Sequence, residues 1–437
     1  MILNIFLLGY RLLWVLLTPF VLLYLWRRGR RDPLYFTALG QRFGSYQRPL
    51  PQNPVWIHAV SLGETRSAVP LIRLLLDRGD PVVITNFTPA GQREAARQFA
   101  AEITAGQLAV IWVPFDMRWT YKRFFKACQP RIGLTMEVEI WPAMIFAAKA
   151  AGVPLFMCNA QYANKSMARD GRGFRLRQRV IQGFSGAFVK SELQAQRFRA
   201  IGLQNVVVTG ELRFDQPIPP TQIEAALQAR RLLAPGRRVI TIASAVEGED
   251  DLYLEAIQAV LRAAKAKAEI PPLFVYVPRA PERFDAIAES FEQNGLKIAR
   301  RSKVFGPGNQ GLMQLTLAQD GAPDILVGDS LGEMYFYLAL SDLVVVGGGF
   351  TPRGAHNIIE PLAVLKPVVT GPSVWTIEYP FVEAQRAGVA QSLPDGAALI
   401  AALTQPVQAD PEKILAFLSD HSGASRKTLA AIDRILN

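Results

Sequence analysis

The sequence is poor in the residues that bind metals and form disulfides. Its 437 residues include two cysteines and three histidines. Cys128 and Cys158 sit in apolar or helical surroundings, and neither belongs to a CxxC pair. Neither a disulfide framework nor a zinc–thiolate site is therefore implied. Histidines this scattered do not make a His-rich metal site, and a reducing compartment fits the thiol count. The chain has no P-loop, no GxSxG and no HExxH. Its aromatic residues are not spaced like an RNA-stacking platform. Short-period repeats and long disordered tracts are missing too.

What the chain has is positive charge and apolar bulk. Lys and Arg number 48 against 37 Asp and Glu, a formal net charge of +11. That excess points to an anionic partner: nucleic acid, a membrane surface or a phosphorylated substrate. Half the residues are hydrophobic, and the length predicts two or three domains. The N-terminus narrows the choice of partner. A mainly apolar run from Met1 to Trp26 is interrupted by Asn4 and Arg11 and followed by Arg27, Arg28, Arg30 and Arg31. A signal peptide carries its charge before the apolar run, and this segment carries it after. The length suits one membrane span with the remaining chain in the cytoplasm. Arg11 and Pro19 equally suit a helix lying in the interface. A further basic stretch, 169–179, reads as helical. Charge placed this way fits an anionic membrane or phospholipid better than nucleic acid.

From Val55 onward, short β-rich runs alternate with helical patterns. "PVWIHAV", "PVVITNF", "LAVIWVPFD", "RIGLTM", "VPLFMCNA", "GAFVKS" and "VVVTG" form a first series. A proline-rich break at 212–222 ends it. "RRVITIAS", "PPLFVYVP", "PDILVGDS", "DLVVVGGG" and "KPVVTG" form a second. Runs this rich in Val, Ile and Leu predict parallel strands buried on both faces. The expected architecture is α/β: two Rossmann-like domains with a cleft between them, after an N-terminal membrane-associated helix. The expected boundaries are 1–31 for the anchor and its basic flank, 32–215 for the first domain and 216–437 for the second. Residues 301–323 are the candidate for a mobile surface insertion.

Ligands of such sheets bind beyond the C-terminal ends of the strands. After the first strand comes "SLGE". Ser61 and Glu64 have the spacing of a capping box, and Glu64 is equally placed to act as a general base. A helix N-terminus favours the ionised carboxylate but lowers its basicity, so burial or nearby negative charge must offset it. In "TMEVEIWPAM", an extended backbone would put Glu137 and Glu139 on opposite faces. In "VVVGGGFTPRGAHNIIEPL", the glycine run lets backbone approach a ligand and present N–H groups to a phosphate. Asn357 and Glu360 lie three apart at a helix start, where a carboxylate can accept from both hydroxyls of a ribose. Pro278 and Arg279 end another strand. Leu331, Gly332 and Glu333 open a helix whose N–H groups suit an anion, and Arg213 closes the first domain.

Together, "WIHAVSLGE", "MEVEIWP", "NAQYANKS", "GELRFD", "VPRAPERF", "GDSLGEM" and "GGGFTPRGAHNIIEPL" resemble the 3-deoxy-D-manno-octulosonic acid (Kdo) transferases of lipopolysaccharide synthesis. The resemblance runs from about residue 6 to about residue 390. It implies a GT-B fold and inverting, metal-independent transfer of Kdo from CMP-Kdo to a lipid A precursor. The implied location is the cytoplasmic face of the bacterial inner membrane. By that resemblance Glu64 is the general base, and Glu137 and Arg213 stabilise the transition state. Pro278, Arg279, Leu331, Gly332, Glu333, Asn357, Ile358, Ile359 and Glu360 match the CMP-binding segments. No organic cofactor is implied. The sequence departs from the family pattern at Arg213, where Lys is usual, and at Val246, where His is usual. The competing readings are a GT-B lipid glycosyltransferase with another donor sugar, a sugar-nucleotide epimerase, and a non-catalytic membrane-anchored descendant.

Overall fold

The computed structural model describes residues 1–306, 322–405 and 410–437. Among these residues, fourteen strands make two seven-stranded sheets. The first contains β1 (Val55–His58), β2 (Val82–Asn86), β3 (Leu108–Trp112), β4 (Ile132–Met136), β5 (Leu155–Ala160), β6 (Gly186–Val189) and β7 (Val206–Val208). Its order is β3-β2-β1-β4-β5-β6-β7, with every pair parallel. The second contains β8 (Val239–Ala245), β9 (Leu273–Pro278), β10 (Ile298–Arg300), β11 (Ile325–Val327), β12 (Leu343–Val346), β13 (Val368–Thr370) and β14 (Ala390–Ser392). Its order is β10-β11-β9-β8-β12-β13-β14, again all parallel. All seven runs of the first series and all five of the second are strands. The two that the sequence reading missed, β10 and β14, are short edge strands without a Val/Ile/Leu run.

The core explains why these segments are strands. β1, β4 and β9 are buried along their whole length. Helices cover both faces of each sheet, so a central strand has no polar side to show. The helix Leu62–Asp77 turns Ala68, Leu71, Ile72 and Leu75 inward, a 3.6-residue stripe packed beside Val55 and Ile57.

The chain divides into two compact units, Met1–Gln216 with His421–Asn437, and Pro217–Asp420. The expected second domain, 216–437, is thereby corrected at its far end. The last helix, Ala424–Leu436, buries Ala431 and Ile432 in the same core as Leu71 and Leu75 of the first unit. The Asp215 carboxylate accepts from the N–H groups of Gly423 (2.7 Å) and Ser425 (2.6 Å) and fixes this return.

The basic stretch 169–179 is not one helix. It breaks between Asn164–Asp170 and Leu176–Ile181, with Arg175 in the left-handed region. Of the expected insertion 301–323, residues 307–321 lie outside the described residues. The helix Ile2–Gly29 is long and apolar enough to cross a membrane, by length and composition.

Candidate active site

In each unit the strand order reverses beside the first strand: between β1 and β4, and between β8 and β12. Such switch points open a crevice at the strand ends. The expected site residues gather in the loops around them.

Glu64 begins the helix after β1. The Ser61 hydroxyl accepts from the Glu64 N–H (3.3 Å) and donates to Glu64 Oε1 (2.8 Å). The Val60 N–H donates to Oε2 at 2.7 Å. The Ser61 half of the capping box thus forms, while the Glu64 carboxylate reaches back one residue further, to the Val60 amide, and these bonds orient it. Glu64 is only 8% exposed. Burial is the largest influence on it and pushes its pKa up to about 7. The Ser61 and Val60 hydrogen bonds pull the other way, and the charges of Glu137 and Glu139 push it further up. Near neutral pH such a group can both take and release a proton, as a general base must.

Glu137 is not extended. Its φ is 58°, a conformation that costs a non-glycine residue about 1–2 kcal/mol, and its N–H donates to the Cys158 carbonyl at 2.8 Å. The opposite-face arrangement expected for Glu137 and Glu139 therefore does not occur, and both charges act on Glu64. Arg213 joins the group through two bonds. Its Nη2 pairs with Glu137 Oε1 at 3.1 Å, and its Nε donates to Ser67 Oγ at 2.9 Å. Ser67 is one turn beyond Glu64 on the same helix, so the guanidinium is held beside that turn. Glu211 anchors the Arg213 loop. Burial pushes the Glu211 carboxyl up, but Lys190, 2.6 Å away, with Arg213 and Asn159 holds it below the usual range.

Glu139 accepts from Trp141 Nε1 at 2.7 Å, and burial raises its pKa. His58 is fully buried with Nδ1 2.9 Å from Thr85 Oγ1, and burial lowers it to about 3. It is neutral at working pH and belongs to the core.

In the second unit the glycine run does something other than expected. Glu249 is wholly buried, and its carboxylate accepts from Gly348 N–H (2.7 Å), Phe350 N–H (2.9 Å) and Val246 N–H (3.3 Å). The Gly348 and Phe350 amides are thus already satisfied and do not face a phosphate. The glycines serve close packing. A Cβ on Gly347 would lie 2.5 Å from the Ser244 carbonyl, and one on Gly349 would lie 2.3 Å from Thr370 Oγ1. Sequence reasoning missed Glu249, although "VEGE" after β8 echoes "SLGE" after β1.

Arg279 follows Pro278 at the end of β9, and its Nη1 lies 2.9 Å from His356 Nε2. Burial first, and then the Arg279 charge, lower His356 to about 4, so its ring is neutral and can accept from the guanidinium. His356 in turn donates its backbone N–H to Gly347 O at 3.0 Å. Asn357 Oδ1 accepts from Ile359 N–H at 2.9 Å and caps the turn. Ile358 and Ile359 are buried in the core and act as supports for Asn357 and Glu360, which are half-buried. Leu331 is exposed, and Gly332 has φ 82°. The helix begins only at Met334, and Glu333 pairs with the buried Arg301 at 2.7 Å. The helices Met334–Leu340 and Ile359–Ala363 touch, so the loops after β9, β11 and β12 form one group. Among the described residues, no three His, Cys, Asp or Glu side chains form a metal-binding group.

Known proteins resemble this chain in sequence and fold. Residues 37–216 match the family described as 3-Deoxy-D-manno-octulosonic-acid transferase (kdotransferase). The chain is 38% identical to the 3-deoxy-D-manno-octulosonic acid transferase of Bordetella pertussis over 95% of its own length and 96% of the relative's. The Haemophilus influenzae enzyme of the same name is 28% identical, over 83% of this chain and 81% of the relative. Among solved structures, the UDP-GlcNAc 2-epimerase of Neisseria meningitidis superposes with a TM-score of 0.54 at 13% identity, covering 87% of this chain and all of that one. That likeness shows the two-sheet GT-B type of fold and nothing about activity. With the first relative matched nearly end to end, the chain belongs to the 3-deoxy-D-manno-octulosonic acid transferase family of glycosyltransferases.

Proposed function

We propose that the protein moves Kdo from CMP-Kdo to the hydroxyl of a lipid A precursor, with inversion and with Glu64 as general base. The observation that carries the reading is Glu64 itself. It is a buried carboxylate at the first switch point, its pKa pushed up to about 7, beside the Glu137–Arg213 pair. In this reading the acceptor oxygen attacks the anomeric carbon, the bond to CMP breaks, and the acceptor proton passes to Glu64. Arg213 and Glu137 hold charge that develops in the transition state. CMP leaves as a phosphate monoester held by Arg279, with Asn357 and Glu360 toward the nucleoside. The leaving group is stabilised by fixed protein charge, so the step is written without a metal. The apolar N-terminal helix and the excess of basic residues support work at an anionic membrane, on the cytoplasmic face of the bacterial inner membrane.

The test incubates the full chain with CMP-Kdo and a diphosphorylated lipid A precursor and weighs the lipid product. A mass gain of one or more Kdo residues is expected. CMP alone should raise the melting temperature, with UMP the comparison. An unmodified lipid together with a shift from another nucleotide only would replace Kdo transfer by transfer of a different sugar.

A further inference from the structure

The N-terminal helix has two apolar faces with different surroundings. Leu3, Phe6, Tyr10, Trp14, Val21 and Leu25 fall on one stripe and pack on the first unit along the helix's whole length. Trp14 packs on Phe115 with ring centres 5.9 Å apart and the rings tilted, and Leu25 is 1% exposed. Midway, the Tyr10 hydroxyl donates to Asp116 Oδ2 at 2.7 Å. Asp116 also accepts the N–H groups of Ala143 and Met144, which ties the tyrosine to the start of the helix Pro142–Ala151. The 28-residue helix, roughly 40 Å long, therefore lies lengthwise on the folded unit. Its outer face is apolar too. Leu8, Leu12, Val15, Leu16, Phe20 and Leu23 are each 58–68% exposed. A helix that is apolar all round needs apolar surroundings on both sides.

A bilayer crossing would not supply them without breaking the inner face. Only helices and closed barrels tolerate hydrocarbon. A perpendicular helix would have to shed its stripe or pull Asp116, Arg118 and their sheet into the lipid. Charge marks the alternative. The helix carries no Asp or Glu. Beside it lies a cavity of about 210 Å³, and next to that one of about 540 Å³ that shares its Arg118, Ala147 and Ala150. Their polar linings include the cations Arg11, Arg118, Lys122 and Lys126 and no carboxylate. The basic groups and the apolar outer face together fit phosphate headgroups above acyl chains.

We propose that the helix Ile2–Gly29 does not cross the membrane but lies in the plane of one anionic phospholipid leaflet. It stays docked on the first unit, and the groove lined by Arg11, Arg118, Lys122 and Lys126 holds lipid phosphates. Both ends of the chain then lie on the same side of the bilayer.

Short protease-sensitive tags at the N- and C-termini of the full chain test the topology. Both should be cut in inside-out vesicles and both spared in spheroplasts. Cutting of the N-terminal tag alone in spheroplasts would establish a span and overturn the proposal. Recovery of the protein as a soluble oligomer would also overturn it, because a second copy would then cover the face. Flotation with vesicles tests the lipid class. Phosphatidylglycerol added to phosphatidylcholine should strengthen binding. The combined Arg118→Glu, Lys122→Glu and Lys126→Glu variant should lose that gain by about fivefold or more per residue, with residual binding to phosphatidylcholine unchanged. Equal binding to both vesicle types by the parent protein would rule out an anionic leaflet. None of these readouts depends on Kdo transfer, so an inactive protein that passes them leaves the topology standing.

Discussion

Replacing Glu64 by Gln should make the protein more stable and less active, and the gain in stability should depend on pH. Folding raises this carboxyl from 4.5 to about 7. The folded protein therefore holds the proton more tightly than the unfolded chain does. Below pH 4.5 both states are protonated and Glu64 costs nothing. As pH rises through the window from 4.5 to 7, the unfolded chain ionises first and the fold loses stability. At 1.36 kcal/mol per pH unit the loss reaches about 3 kcal/mol, with little solvent screening at 8% exposure. Gln preserves the shape, and its carbonyl can still accept from Val60 while its amide donates to Ser61. The variant should match the parent at pH 4.5–5 and exceed it above pH 7.5 by about 3 kcal/mol, or roughly 5–10 °C in melting temperature. Thermal unfolding in one detergent across pH 5–9 measures the difference. In parallel, kcat/KM of the parent should climb to a plateau with a midpoint near pH 7, and the Gln variant should fall by about 10²–10⁴. A stability difference that does not change with pH would refute the buried, proton-holding carboxylate. Full turnover by the variant would remove Glu64 as base whatever the stability data show.

Arg213→Ala should lower kcat by about 10²–10³ with little change in KM for the donor, as loss of a transition-state donor does. Arg213→Lys keeps the charge but one of two bonds, and should cost about tenfold or less by the same assay. Glu249→Ala leaves the Gly348 and Phe350 amides unpaired. It should destabilise the second unit by about 3 kcal/mol, read by urea unfolding, and unchanged stability would show those amides find other partners. His58 is lowered from 6.5 to about 3, so its contribution is present above pH 6.5 and lost as pH falls toward 3. His58→Leu should flatten that acid limb in a pH series of melting temperatures.

The sheets were legible because buried parallel strands must be Val/Ile/Leu runs, and twelve of the fourteen were such runs. Edge strands such as Ile298–Arg300 have one open side and carry no such signature. The last helix was misassigned because its apolar stripe says that it packs, not on what. Its partner is set by Asp215, some two hundred residues earlier in the chain. Glu64, Glu137 and Arg213 could be named from motifs, yet only the fold brings Arg213 to Ser67 and Glu137. The Gly347–Gly349 run was read as a phosphate cradle because glycine reports close backbone approach without saying what approaches. Here the neighbours are the protein's own backbone and the Glu249 carboxylate.

Glu64 and Glu249 share one device, and on the proposed mechanism it serves two roles. Each follows a glycine where a helix starts after the first strand of its unit, beside the switch point. Each carboxylate accepts the N–H of a residue at the strand end, Val60 or Val246. Glu249 takes two further amides and is wholly buried, so both oxygens are committed and nothing reaches them. Glu64 takes one amide and one hydroxyl and keeps a small exposed edge. A carboxylate oxygen has lone pairs for two partners, so each Glu64 oxygen retains acceptor capacity for a substrate proton. The difference between a strut and a carboxylate able to take a substrate proton is thus a count of amides and a sliver of access. That is why the turnover of the Glu64→Gln variant, rather than the Gly-Glu sequence that both loops share, tests the proposed base against its structural counterpart.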